Sequence, residues 1–311
     1  MEMNALDGVK LNWNSETTIA LNFAIAFIMF GVALGLNRQS FLDIFKNPKP
    51  TLTGIISQFL LLPFFTFILV WIFNPLPGLA LGMILVAACP GGNLSNFFSS
   101  IGKGNVALSI SLTVAASFLA VIFTPINFEF WGGMLDNTSD LLKTVNINFF
   151  QMARLVFFTI ALPLVIGVVF KEKLPWITAK IKVPVKYISI FILIAIIIIA
   201  FSSNYKLFLE YYHYIIALVL VHNALALAIG YYFSRIMKLS KQDSRTITIE
   251  TGIQNSGLGL LIVFSVFNGQ GGMALITAWW GIWHIISGFA IARFFIYKEA
   301  KAVRSAATIV R

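Results

Sequence analysis

Long apolar runs joined by short polar stretches dominate this chain. Residues 51 to 102 and 251 to 292 contain no charged side chain at all. Runs of that length read as series of membrane spans, because a hydrocarbon core of roughly 30 Å takes about 20 apolar helical residues. That ruler predicts nine spans, near 19–36, 51–73, 77–101, 104–124, 151–170, 187–204, 211–234, 246–267 and 273–292. The expected fold class is an all-α polytopic membrane protein with nine transmembrane helices. It has an extracytoplasmic tail at 1–18, a single transmembrane domain at 19–292 and a cytoplasmic tail at 293–311. The longest loop, 125–150, is expected to carry a short interfacial helix around Phe128 to Leu142.

Composition agrees and narrows the class. Of 311 residues 59% are hydrophobic and 11% charged, with mean hydropathy +0.88. Soluble domains carry about 25% charged residues, so a soluble enzyme is excluded. The net charge of +10 then marks cytoplasmic loops, not a nucleic-acid surface. Eighteen Lys and Arg fall in one set of alternate loops, three (Lys10, Lys143, Lys206) in the other, and Arg154 lies inside the fifth span. Cationic loops stay on the cytoplasmic side, which places the N-terminus outside and the C-terminus in the cytoplasm, in a plasma (inner) membrane. The first eighteen residues lack the basic start and cleavage site of a signal peptide and are read as a mature tail. Cys89 is the one cysteine, so neither an internal disulfide nor a structural zinc site is expected.

Two of the spans are unsuited to an unbroken helix. The third contains Cys89-Pro90-Gly91-Gly92-Asn93-Leu94-Ser95-Asn96. Its proline removes a backbone donor, its glycines cost about 1 kcal/mol each in a helix, and Asn and Ser compete for backbone groups. The eighth contains Glu250-Thr251-Gly252-Ile253-Gln254-Asn255-Ser256-Gly257, and Glu250 is the only acid within a predicted span. A simple proline kink is the bland alternative for the first. For Glu250 it is a side chain that snorkels toward the cytoplasmic interface beside Arg245. Unwound backbone at membrane depth is tolerated only where it is buried in protein or lines a cavity. The two breaks lie five spans apart, so their flanking units enter the membrane in opposite senses. That is the arrangement of an inverted repeat, in which interrupted segments point to the binding site of a transporter.

Opened helix ends offer N–H groups to anions and carbonyls to cations. The oxygen-bearing side chains near the breaks are Ser95, Asn96, Glu250, Gln254 and Asn255, with Ser109 and Thr113 one turn apart on the fourth span. Such hard donors around a single carboxylate suit a monovalent cation better than a transition metal. Ser109 and Thr113 have a dull alternative, bonding their own preceding carbonyls. Gln58, alone in the apolar second span, is equally consistent with a helix-to-helix tie. His222 with Asn223, and His284 beside Trp283, read more readily as interhelical hydrogen bonds than as proton relays.

The segments from Cys89 to Asn96, Lys103 to Ser109 with Thr113, Thr248 to Leu258, and Trp283-His284 with Ser287-Gly288 resemble the signatures of the bile acid:sodium symporter family. The likeness implies a panel domain and a core domain, with the two broken helices crossing inside the core, in a nine-span form that lacks the first helix of ten-span members. It implies two co-transported Na+ ions. One would bind Ser95, Asn96, Ser109, Thr113 and Glu250, the other Gln58, Glu250, Gln254 and backbone near Thr251 and Ile253. Asn93 and Ile285 depart from the usual pattern and put the substrate in question.

The function expected from the sequence is sodium-coupled symport of a small organic anion such as a bile acid, pantoate or a keto acid. Gly92, Asn93, Leu94, Asn255, Ser256 and His284 are expected to face it. The partners are that anion and the lipid bilayer, with no nucleic acid, and the protein is expected to be a monomer. One alternative keeps the fold and changes the coupling, to proton-coupled or uncoupled transport of an organic anion or arsenite, with Cys89 as the suspect residue. The remote alternative is an intramembrane serine hydrolase using Ser256 and His284, which lacks the Gly-x-Ser-x-Gly elbow.

Overall fold

Apolar sequence in lipid leaves the backbone no water to bond, so its polar groups must pair internally, and helices do this within a single segment. The computed structural model describes residues 15–36, 42, 44–46, 48–138, 141–142, 149–202 and 205–309, the last eight as backbone alone. In chain order the helices are α1 (Ser15–Ala33), α2 (Pro48–Phe73), the short pair α3 (Pro77–Ala88) and α4 (Leu94–Ile101), α5 (Val106–Gly133), α6 (Phe149–Lys173), α7 (Pro175–Ser202), α8 (Tyr205–Ile236), a second short pair α9 (Lys241–Gly252) and α10 (Ser256–Ser265), and α11 (Gly271–Ile309). The protein is an all-helical membrane protein. Six of these helices, α1, α2, α5, α6, α8 and α11, are long and apolar enough to cross a bilayer, and α3 and α10 are shorter apolar helices.

Three boundaries differ from the sequence expectation. α5 continues through Pro125 to Gly133, so Phe128 to Gly133 end that helix and do not start an interfacial one. A 3-10 turn follows at Asp136–Thr138, and Thr138 Oγ1 donates to Gly132 O at 2.6 Å. α7 begins at Pro175 and α11 runs on to Ile309.

α1 packs on α6 and α7, while α3, α5, α8, α9 and α11 pack among themselves. Glycines permit the closest approaches, as small residues do between membrane helices. A Cβ on Gly272 would stand 2.9 Å from the carbonyl carbon of Gly78, which brings α11 and α3 nearly backbone to backbone. The broken helices hold the deepest positions: Leu81 to Leu85 of α3 and Leu260 to Val263 of α10 are all buried. Trp71, Phe191 and Ile236 on the longer helices are exposed.

α2 contains a π-helical turn at Ser57–Leu61 just ahead of Leu62-Pro63. Pro63 has no N–H for the Phe59 carbonyl. Asn127 of α5 supplies the missing donor, Nδ2 to Phe59 O at 2.9 Å. The wide turn carries Ser57 and Gln58, both buried, on the stretch of α2 that packs against α9.

Candidate ion and substrate site at the helix crossing

The Pro-Gly-Gly-Asn and Gly-Ile-Gln-Asn segments unwind where their residues predict. α3 ends at Cys89 and α9 ends at Ile253, each in an extended conformation. The two unwound stretches then meet. Gly92 N donates to Ile253 O at 2.6 Å and Asn255 N donates to Pro90 O at 2.9 Å, and Gly91 and Gln254 form an antiparallel bridge. Each break therefore bonds the backbone groups that the other opens. The carbonyls at the preceding helix ends go to side chains: Ala88 O accepts from Thr124 Oγ1 and Gly252 O from Asn223 Nδ2, both at 2.8 Å. Thr124→Val keeps the shape but strands a buried carbonyl, and a loss of about 1–3 kcal/mol is expected. Thermal unfolding in detergent reads it, and an unchanged midpoint would deny Thr124 this role.

Glu250 sits beside the crossing and is 1% exposed. Its Oε2 accepts from Ser109 Oγ and its Oε1 from Thr113 Oγ1, both at 3.0 Å. Arg245, the partner in the snorkelling alternative, instead pairs with Glu299 at 3.0 Å. Thr113 Oγ1 also lies 3.0 Å from Ser109 O and 3.4 Å from Asn96 Oδ1. The hydroxyl has one proton to give, and three oxygens compete for it. The Ser95 hydroxyl is buried beside the same carboxylate. Oxygens that outnumber protons around a buried carboxylate fit a small hard cation, whose charge would balance all of them at once. No cluster of three or more His, Cys, Asp or Glu occurs among the described residues.

A second group of oxygens lies on the α2 side. A Cβ on Gly91 would fall 2.7 Å from Glu250 Oε1 and 3.0 Å from Gln58 Nε2, so Gln58 and Glu250 flank the same glycine. Both polar atoms of Gln58 and Oε1 of Gln254 are buried without a partner. Gln254 Nε2 donates to Thr251 O at 2.8 Å, and Thr251 Oγ1 lies 2.9 Å from Ser57 Oγ.

On the face of the crossing toward α1, a cleft of about 40 Å³ is lined by Gly92, Asn93, Leu94, Asn255, Ser256 and His284 together with Ile25, Ile28 and Met29 of α1. Asn255 Oδ1 accepts from Leu258 N at 3.0 Å and caps α10, which leaves the amide NH2 as the end available to a ligand. Asn93 makes no cap, and its Nδ2 approaches Met29 Sδ at 3.7 Å.

The crossing thus brings together the residues expected from the sequence to meet ion or substrate, divided between two oxygen clusters and one cleft. His222 takes the bland role, its Nε2 lying 2.8 Å from Thr66 Oγ1 on α2. Ser57 and Thr124 were missed because a single hydroxyl in an apolar span carries no local signal. Asn223 was seen, but its partner, the Gly252 carbonyl, lies 29 residues away.

The sequence profile described as the Sodium Bile acid symporter family matches residues 22–211. The chain belongs to that family. Membership in the Sodium Bile acid symporter family makes it one of a family of transporters and not an enzyme, which removes the hydrolase alternative. Among its relatives, the uncharacterized sodium-dependent transporter YocS of Bacillus subtilis is 28% identical over 89% of this chain and 83% of its own length. The probable chloroplastic sodium/metabolite cotransporter BASS2 of Oryza sativa subsp. japonica is 31% identical over 76% of this chain and 55% of its own. The sodium/bile acid cotransporter 5 of Rattus norvegicus is 27% identical over 75% of this chain and 52% of its own. The chain thus spans most of the first and about half of the other two.

Proposed function

We propose that this chain is a sodium-coupled symporter that carries a small organic anion inward. The observation that carries the reading is the crowding of Ser109, Thr113, Asn96 and Ser95 oxygens around the buried Glu250 carboxylate. One sodium would bind there, through Ser95, Asn96, Ser109, Thr113 and Glu250. A second would bind Gln58, Glu250, Gln254 and the backbone at Thr251 and Ile253. Two cations over one carboxylate leave an excess of one positive charge, and an anion in the adjacent cleft restores neutrality. Gly92, Asn93, Leu94, Asn255, Ser256 and His284 would receive it. By linkage, sodium then raises substrate affinity and substrate raises sodium affinity by the same factor.

The same proposal covers the topology. Nine spans cross a plasma (inner) membrane with the N-terminus outside, within one transmembrane domain at 19–292. Each broken pair counts as one span, and the first four spans are inverted relative to the last four. α1, α6 and α7 form the panel and the remaining helices the core. The mutual packing of α1, α6 and α7 supports this division into panel and core.

The test separates an ion half from a substrate half. A thermal-shift screen of organic anions in sodium and in potassium supplies a ligand. Sodium is then titrated at fixed ligand, and ligand at fixed sodium, on two variants. Thr113→Val is expected to weaken the sodium response and keep the order of preference among anions. Asn255→Ala is expected to cost about 1–3 kcal/mol of anion binding at saturating sodium. A shift of the sodium curve alone in Asn255→Ala, or reordered anions in Thr113→Val, would defeat the division. Equal stabilisation by sodium and potassium in the parent protein would defeat sodium coupling itself.

A further inference from the structure

Arg154 has no part in the site described so far. Of the twenty-two basic residues it alone falls inside a predicted span, and it lies in the half of α6 that the proposed topology places outside. It is the sixth residue of α6, about 8 Å from the helix start at 1.5 Å per residue. Its guanidinium lies 5.8 Å from the ring centroid of Phe158, one turn on. Among the described residues its side chain takes part in no ion pair and no hydrogen bond.

Arg154 borders a cavity of about 530 Å³ between α1, α6 and the C-terminal end of α10, whose lining includes Asn22, Phe23, Ala26, Phe158 and Ser265. Ligand pockets commonly span about 300–1,000 Å³. Asn22 Oδ1 and Ser265 Oγ are buried there without a hydrogen-bond partner, and the rest of the lining is chiefly apolar. The C-terminus of α10 adds roughly half a negative charge, against the full positive charge of Arg154, so the balance favours an anion. Asn22 and Ala26 continue the face of α1 that carries Met29 into the cleft. Seven residues separate Asn22 from Met29, about 10 Å of helix rise.

We propose that this cavity is an outer docking site, in which Arg154 pairs with the carboxylate or sulfonate of an organic anion while Phe23, Ala26 and Phe158 cover its apolar body. The direction of use, from this cavity to the cleft, rests on the proposed inward symport; the binding itself does not. Because the cavity is lined by none of the residues assigned to sodium, an anion should occupy it without sodium. A lipid phosphate offers the same charge from another source, and the test includes it.

The experiment uses the full chain in phosphatidylcholine nanodiscs, in potassium chloride without sodium, with fluorobenzoate as the probe and fluorine NMR line broadening as the readout. The wild type should show saturable broadening that the neutral amide, fluorobenzamide, fails to compete away. Arg154→Gln should weaken binding at least about tenfold, and Arg154→Lys should recover most of it. Ala26→Trp, which fills the cavity without touching the charge, should abolish it. Equal affinity in wild type and Arg154→Gln would overturn the proposal. Loss of the signal when phosphatidylglycerol is included would also overturn it, by assigning the cavity to lipid head groups. Failure of sodium coupling would show in the sodium titrations and leave this potassium-phase result unmoved, so the two readings fail separately.

Discussion

Glu250→Gln is expected to abolish sodium-dependent stabilisation. The amide has the size of the carboxylate and can still meet Ser109 and Thr113, each 3.0 Å away in the parent, so the fold should survive. What is removed is the negative charge facing both proposed ions. Breaking a buried ion pair costs about 3–5 kcal/mol, which corresponds to a fall in sodium affinity of roughly a hundredfold or more. Thermal-shift titrations with sodium chloride against potassium chloride measure it. A sodium midpoint equal to that of the parent would mean that the carboxylate serves folding and not the ion.

Gly92→Ala should have the largest effect on the scaffold itself. A Cβ there would stand 2.9 Å from Gln254 O and 3.2 Å from the carbonyl carbon of the same residue. These are backbone atoms next to the Ile253 carbonyl that Gly92 N already bonds at 2.6 Å, so no flexible side chain can yield. Overpacking of this kind costs about 1–3 kcal/mol, and the added strain falls on the contact between the breaks. Anion uptake should be lost and the unfolding midpoint lowered, whereas Gly133→Ala, where a Cβ meets nothing within 4 Å, serves as the neutral control. Uptake and stability retained together in Gly92→Ala would show that the crossing tolerates separation.

The positions of the breaks were legible in the sequence because their cause is local. Proline, paired glycines and Asn act on the few residues around them, and hydropathy alone placed the segments between. Helix ends were less legible, since hydropathy measures the thickness of the membrane and not the length of the helix. α11 runs on to Ile309 because Lys298, Glu299, Ala300 and Lys301 are good helix formers even where they are polar. α7 starts at Pro175, where proline suits a first turn, twelve residues before hydropathy registers a span. The oxygen set around Glu250 was recoverable from residue types and the family resemblance together. Its supports were not: Thr124 reaches Ala88 and Asn223 reaches Gly252 across helix interfaces, and nothing near either residue in the chain announces the partner. The cavity beside Arg154 was equally hidden, since the sequence marked only one basic residue out of place.

The pairing of Gly91 with Gln254 also bears on how the protein is made. When the first break enters the bilayer, the Gly92 N–H and the Pro90 carbonyl have no partners, because Ile253 and Asn255 are still to be translated. Roughly 160 residues separate the two breaks, and at about 5–20 residues per second the ribosome needs on the order of ten to thirty seconds to deliver the second. During that interval the N-terminal half must hold its unpaired backbone against the translocon, an insertase or trapped water. Biogenesis factors that shelter a polar kink should therefore act on the nascent first half and release it once α9 and α10 arrive.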